Sequence, residues 1–215
     1  MKHAKPLPGN LVQRHLDQRN AMTAETRSRL SRLAKEGQEP QALVIACCDS
    51  RVLSTSLFGA EHGDFFIHRS IANLVPPYAP DGAHHGTSAA IEFSVNVLKV
   101  PHVIVLGHSQ CGGVQGCADM CAGRAPELEK RTSFVGGWMD ILRVAYPKVA
   151  HLEGREQTLA LEREAVLVSL ENLMTFPFVR EKVEAGQLEL HGLWTDIGEG
   201  DLWVYSADSD TFERL

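Results

Sequence analysis

The 215-residue chain lacks any stretch approaching the roughly 18 consecutive apolar residues that a membrane-spanning helix needs. It also lacks basic clusters. Lys and Arg number 21 against 27 Asp and Glu, for a formal net charge of −6. Binding a phosphate backbone needs clustered cations, so nucleic acid is not an expected partner. The opening residues, MKHAKPLPGNLVQRHLDQRN, are polar and contain no apolar core of a secretory leader. The expectation is a soluble cytoplasmic protein. No internal repeat or low-complexity segment stands out. Cysteines are few and odd in number (Cys47, Cys48, Cys111, Cys117 and Cys121), in a chain too long to depend on a disulfide framework. In a reducing compartment, thiols near histidines are instead metal or catalytic candidates.

What is present is ordinary globular composition, 44% apolar and 22% charged, and a length that allows one sizeable core. From about Asn10 to Lys35, apolar residues recur at mostly helical spacing, which predicts one or two N-terminal helices, broken at Gly37 to Pro40. Ala42 to Ala46 is an apolar run too short for a buried helix and ends at Cys47; it reads as a buried strand. Phe65–His68 and Val103–Leu106 are further strands. A Pro- and Gly-containing loop from Leu74 to His85 precedes a helix over about Thr87 to Lys99. Gly112 and Gly113 open another helix. More helices are expected from about Phe134 to Tyr146, Glu156 to Thr175 and Phe178 to Ala185. Leu188–Ile197 and Leu202–Tyr205 alternate apolar and polar residues around Gly198 and Gly200, which predicts a hairpin at one edge. The whole predicts an α/β fold: a mostly parallel central β-sheet flanked by helices, with an N-terminal helical arm over 1–36 and a single α/β domain over 37–215. Ligands of such sheets sit outside the carboxyl ends of the strands.

Two of the predicted strands end in potential metal ligands. One runs into Cys47-Cys48-Asp49-Ser50-Arg51, the other into Gly107-His108-Ser109-Gln110-Cys111-Gly112-Gly113. If the strands are parallel neighbours, Cys47, His108 and Cys111 converge at one sheet edge. A strand-end Cys alone is usually a small buried hydrophobe, and His-x-x-Cys alone is a weak motif. Together, in Gly-rich turns at two strand ends, they carry much more. Two sulfurs and an imidazole suit zinc, and three protein ligands leave a fourth position for water, the mark of a catalytic site.

Cys47-x-Asp49-x-Arg51 followed by His108-x-x-Cys111 resembles the signature of the β-class carbonic anhydrases. So do Gly63–Arg69, Asn73–Tyr78 and Gly86–Glu92, which are similar to the plant-type branch, and His191-Gly192 with Asp196-Ile197-Gly198 in the tail. The likeness runs from about Gly37 to the C-terminus. It implies a zinc enzyme that hydrates carbon dioxide reversibly to bicarbonate and a proton, through attack of zinc-bound hydroxide on CO2. It implies that Arg51 holds Asp49 ionised and off the metal, and that Asp49 accepts a hydrogen bond from the nucleophile. It implies a substrate pocket of Gln38, Phe66, Ile71, Phe93 and the Gly112 N–H. Gln38, Phe66 and Phe93 would come from a second subunit, in a homodimer or dimer of dimers. Because two thiolates neutralise zinc's charge, activity is expected to rise toward alkaline pH. Ser70 and Phe93 depart from the Asn and Tyr common in relatives.

Other readings remain open from sequence. Carbonyl sulfide and carbon disulfide hydrolases share this fold and ligand set. A non-catalytic zinc or redox module would need four protein ligands and has no use for Asp49 and Arg51; without catalysis those two are a surface ion pair of little worth. Phe66 and Ile71 are equally well read as core. Cys48, next to a ligand on a strand, should point away from Cys47. Cys117 and Cys121, four apart on a helix, are read as buried thiols before a rival cluster with Cys111, and His84 and His85 as solvated loop residues before a proton shuttle.

Overall fold

The computed structural model describes residues 3–215, divided after Gln38 into two compact units. The first holds helices α1 (Gly9–Ala21) and α2 (Ala24–Glu36). Thr23 caps α2, its hydroxyl accepting the Thr26 N–H at 3.1 Å. Gly37 ends it at φ +94°, where a side chain would be strained. Neither helix buries a residue, and α1 leaves Leu11, Val12 and Leu16 exposed.

The second unit is built on six strands: β1 (Ala42–Cys47), β2 (Phe65–Ser70), β3 (His102–His108), β4 (Glu189–Thr195), β5 (Leu202–Ser206) and β6 (Thr211–Arg214). Their order across the sheet is β2-β1-β3-β4-β5-β6. The first four are parallel, and β5 and β6 are antiparallel additions. All six residues of β1 are buried, which is why it reads as an unbroken apolar run. Around the sheet lie α3 (Ser54–Leu57), α4 (Gly86–Glu92), α5 (Gly112–Cys121), α6 (Phe134–Arg143), α7 (Tyr146–Val149), α8 (Gly154–Leu173) and α9 (Pro177–Glu184).

Strand alternation sorts the core. Leu43, Ile45, Val103 and Val105 pack with Ile91, Val166, Leu173 and Val179 from α4, α8 and α9. Val44, Ala46, Ile104, Leu106, Leu193 and Val204 form a smaller cluster on the other face. A third cluster joins Cys47 and Cys111 to α5, α6 and α8. The 20-residue helix α8 crosses β3 and β4 closely at two glycines. A Cβ on Gly107 would stand 2.6 Å from Val166 Cγ2, and one on Gly192 would stand 2.9 Å from Leu170 Cδ1.

The α/β class and the mostly parallel sheet match the sequence expectation, and three details differ. The helix expected over Thr87–Lys99 is α-helical only to Glu92; Phe93–Leu98 widens to a π-helical stretch, stopped by Lys99 at φ +55°. The tail hairpin exists as β4–β5, but β4 is an inner strand beside β3, and the short β6 takes the edge. Asp49 and Arg51, two apart and so expected on one side of an extended segment, lie instead in a turn after Cys47, where the Arg51 N–H donates to Asp49 Oδ1 at 2.9 Å.

Candidate active site

Parallel pairing of β1 with β3 sets Cys47 and His108 at the carboxyl ends of adjacent strands. Three residues after His108, the chain has turned through Gln110 (φ +55°) to place Cys111 at the N-cap of α5. Ser109 secures the turn: its N–H donates to the Thr195 carbonyl at 2.9 Å, and its hydroxyl accepts the Ile197 N–H at 2.9 Å. Cys47, His108 and Cys111 are all buried, and their ligating atoms lie within 4.8 Å of one another. The two sulfurs are 3.9 Å apart.

The histidine is oriented for ligation. His108 Nδ1 lies 2.8 Å from the Ser109 carbonyl, which can only accept, so Nδ1 carries the proton. Nε2 is then a buried lone pair, and no hydrogen bond reaches it. An imidazole that donates one N–H to the backbone while its other nitrogen waits is the usual metal-ligand arrangement.

The thiols are primed unequally. The Cys111 S–H, above all, and the Asp49 N–H hold the Cys47 thiol well below its ordinary value against the cost of burial. Cys111 is pushed far up, first by its bond to the Cys47 thiolate and then by burial; the N–H groups of Val114 and Gly113 oppose this. One proton is easily lost from the pair and the second is kept. Burial lowers the His108 imidazole, but the Cys47 thiolate more than offsets it and the net shift is upward. A divalent cation replacing the Cys111 proton would satisfy both sulfurs and Nε2, so the donor set fits zinc.

Asp49 lies beside this group under a bidentate clamp. Arg51 Nε donates to Oδ1 at 2.9 Å and Nη2 donates to Oδ2 at 2.7 Å. Nη2 also donates to the Gln110 carbonyl at 3.0 Å, tying the two turns together. The Arg51 hydrogen bonds hold the Asp49 carboxyl well below the usual carboxylate range, despite partial desolvation. Two further residues brace the backbone. Arg69 Nε donates to the Cys47 carbonyl at 2.9 Å, and its Nη2 donates to the Asp49 carbonyl at 2.6 Å. Glu162, whose side chain is 1% exposed, accepts the Cys111 N–H at 3.3 Å and two bonds from Arg155.

The carbonic anhydrase family model matches residues 42–202, from the first residue of β1 to the first of β5.

The chain belongs to the β-class carbonic anhydrases.

It is 40% identical over 177 residues to beta carbonic anhydrase 3 of Arabidopsis thaliana, covering 80% of this chain and 67% of that protein. It is 40% identical over 161 residues to the chloroplastic beta carbonic anhydrase 5 of the same plant, covering 73% of this chain and 51% of that protein. The structure of the β-carbonic anhydrase CcaA superimposes with a TM-score of 0.85 at 30% identity, over 96% of this chain and 93% of that one. A tetrameric β-carbonic anhydrase of the ascomycete Sordaria macrospora gives 0.75 at 29% identity, over 92% and 98%.

The pocket residues expected of a β-carbonic anhydrase are spread more widely. Exposed Gly112 opens α5 with nothing within 4 Å of where its Cβ would be. Ile71, 40% exposed, is close to that turn: a Cβ on Gly113 would meet Ile71 Cγ2 at 2.8 Å. Phe66 and Phe93 pack on each other with ring centroids 5.7 Å apart, but Phe66 is four residues back along β2 from Ser70, the partner of Cys47. That is about 13 Å at strand rise. Gln38 is exposed at the end of the first unit. Cys48 is exposed while Cys47 is buried, as alternation requires. Cys117 donates to the Met139 carbonyl inside the core at 3.7 Å, and burial, ahead of the neighbouring Cys121, pushes its thiol up to about 12. His85 lies on an exposed loop with Asp81 at 2.7 Å. Among the bracing residues, Glu162 carried no signal in the sequence beyond lying on a predicted helix. A mid-helix Glu followed by Arg163 and Glu164 is easily taken for surface.

Proposed function

We propose that this chain hydrates CO2 reversibly to bicarbonate at a zinc ion held by Cys47 Sγ, His108 Nε2 and Cys111 Sγ. The observation that carries the reading is the buried, unpartnered His108 Nε2 beside two sulfurs 3.9 Å apart. When bound, zinc supplies the Lewis acidity that makes water a nucleophile near neutral pH.

The chain's own residues do the rest. Asp49, kept anionic by Arg51, accepts a hydrogen bond from the attacking water and turns its lone pair toward the CO2 carbon. Because Arg51 engages both carboxylate oxygens, Asp49 is restrained from swinging to the metal and filling the open position. The Gly112 N–H, one of the donors a helix start leaves free, faces the oxygen that gains charge as bicarbonate forms. Ile71 supplies apolar wall, as a small unpolar substrate needs. Phe66 and Phe93 stand too far along β2 and the π-helical stretch to serve their own metal. In this reading they and Gln38 complete the pocket of a second copy, and the active form is a homodimer or a dimer of dimers. Exposure of Ile67, Ile71, Phe93 and Val97 supports such a face. The two units act as an arm and a catalytic domain, and the free thiols suit a reducing compartment such as the cytoplasm.

The test is to measure zinc content and CO2 hydration together in wild type and Cys47→Ser. The reading requires about one zinc per chain and turnover in the wild type, and loss of both in the variant. Zinc binding without CO2 turnover, or turnover confined to carbonyl sulfide or carbon disulfide in parallel assays, would overturn it.

A further inference from the structure

At the other end of β3, three side chains that the CO2 chemistry does not use come together. His102 opens β3, and Glu189 and His191 lie at the start of β4. The register pairs His102 with Glu189 and Ile104 with His191, and alternation puts all three on the sheet face that carries Ile104, Leu106 and Leu193. His102 Nδ1 is 3.1 Å from His191 Nε2. Glu189 Oε2 is 3.5 Å from the first nitrogen and 3.7 Å from the second. The Glu189 N–H donates to the Pro101 carbonyl at 2.9 Å, so the two strand starts are held together by backbone.

We propose that His102 Nδ1, His191 Nε2 and Glu189 Oε2 form a second divalent-metal site, for a borderline first-row ion such as zinc or cobalt(II). The triangle's dimensions support this. A point equidistant from the three atoms lies about 2.0 Å from each, the length of a zinc–nitrogen or zinc–oxygen bond. The 3.1 Å between the imidazoles is also hydrogen-bond distance, so the position of Glu189 is what distinguishes a metal triangle from a polar cluster. A carboxylate bonded to an imidazole N–H closes to roughly 2.7–2.9 Å, whereas Glu189 stands off both nitrogens by nearly equal amounts and completes a metal-sized triangle. Two imidazoles and one carboxylate are a recognised zinc donor set. The side chains are 41%, 36% and 66% exposed for His102, His191 and Glu189, so solvent fills the remaining positions and the ion exchanges more readily than one among buried cysteines. The site is about 20 Å from His108, six residues along one strand. An ion there joins β3 to β4 without reaching the CO2 pocket.

The experiment starts from protein already carrying zinc at its cysteine site. Zinc is added, and bound metal per chain is counted by equilibrium dialysis with elemental analysis. The expected result is a second equivalent in wild type, absent in His191→Gln and weakened at least tenfold in Glu189→Gln, whose side chain is too exposed for its change to endanger the fold. The first equivalent and CO2 hydration stay unchanged in Glu189→Gln. Cobalt(II) added to zinc-loaded wild type should show ligand-field bands without a thiolate charge-transfer band. A wild type that saturates at one ion overturns the proposal whatever the variants do. So does a second ion that persists in both variants, or cobalt that reports sulfur ligation.

Discussion

Arg51 and Asp49 form the pair on which chemistry at the level of single residues depends. Replacing Arg51 with Ala removes the whole guanidinium clamp. Hydration of CO2 is expected to fall about 100-fold, within the range for a misplaced proton-handling group, with zinc content retained; stopped-flow assays and metal analysis check this. The sign of the pH effect follows from the shift. Arg51 holds the Asp49 carboxyl low in the folded protein, so the stabilisation is present above the ordinary carboxylate range and disappears as pH falls toward the lowered value. In Arg51→Ala, the acid limb of the activity profile should therefore move up in pH. The thiols make a second prediction. The hydrogen bond between the two sulfurs lowers the Cys47 thiol and raises the Cys111 thiol. Zinc uptake by metal-free protein should release the Cys111 proton and tighten as pH rises, measurable by calorimetry in buffers of different ionisation enthalpy. The convergence of Cys47, His108 and Cys111 was legible because each follows an apolar run that could only be a buried strand. Glu162 was not legible. Its importance comes from a contact with Cys111, 51 positions away, and no local pattern records it. Glu162→Gln leaves Arg155 without a charged partner and should lower zinc affinity about 10- to 100-fold, the range for a residue supporting a ligand; competition with a chromophoric chelator would read it.

Among the elements, β3 and α8 matter most to the site, because their close crossing at Gly107 fixes the residue just before His108. Gly107→Ala puts a methyl 2.6 Å from Val166 Cγ2. We expect a loss of about 1–3 kcal/mol, seen as a lower urea midpoint with an unchanged slope. The uniformly apolar β1 was readable as it stands, and α8 was readable to within two residues at each end. The failures share a cause. Nothing in Phe93–Leu98 distinguishes an α from a π turn: the Ser94 carbonyl accepts the Lys99 N–H five residues on, where an α turn would use the fourth, and no local pattern records the choice. Strand β6 is four residues long with one half-buried side chain, Phe212, too little apolar signal to separate it from a loop. The alternation of Leu188–Ile197 marked it as one arm of an edge hairpin. It is an inner strand, and its polar residues, Glu189 and His191, lie at the solvent end.

For the whole molecule, the distance between Phe66 and the metal ligands is the fact to explain. If Phe93 serves a neighbouring copy, Phe93→Asp should cut CO2 hydration at least tenfold and shift the sedimentation coefficient toward monomer, while each chain keeps its zinc. A fully active monomer would disprove the shared pocket. The shared pocket was expected only from the family resemblance, because periodicity reports burial within one chain. An apolar residue covered by a partner looks the same as one covered by its own core.

The two sulfurs 3.9 Å apart belong to residues separated by 64 positions. An ion between them therefore bridges the chain across an interval that includes all of β2 and α4. In the proposed reading it would work as a removable crosslink that only the folded chain can make, stabilising that state by mass action. Stripping the metal should cost thermal stability as well as turnover. Amide exchange should quicken first at the turns after β1 and β3, which carry Cys47, His108 and Cys111.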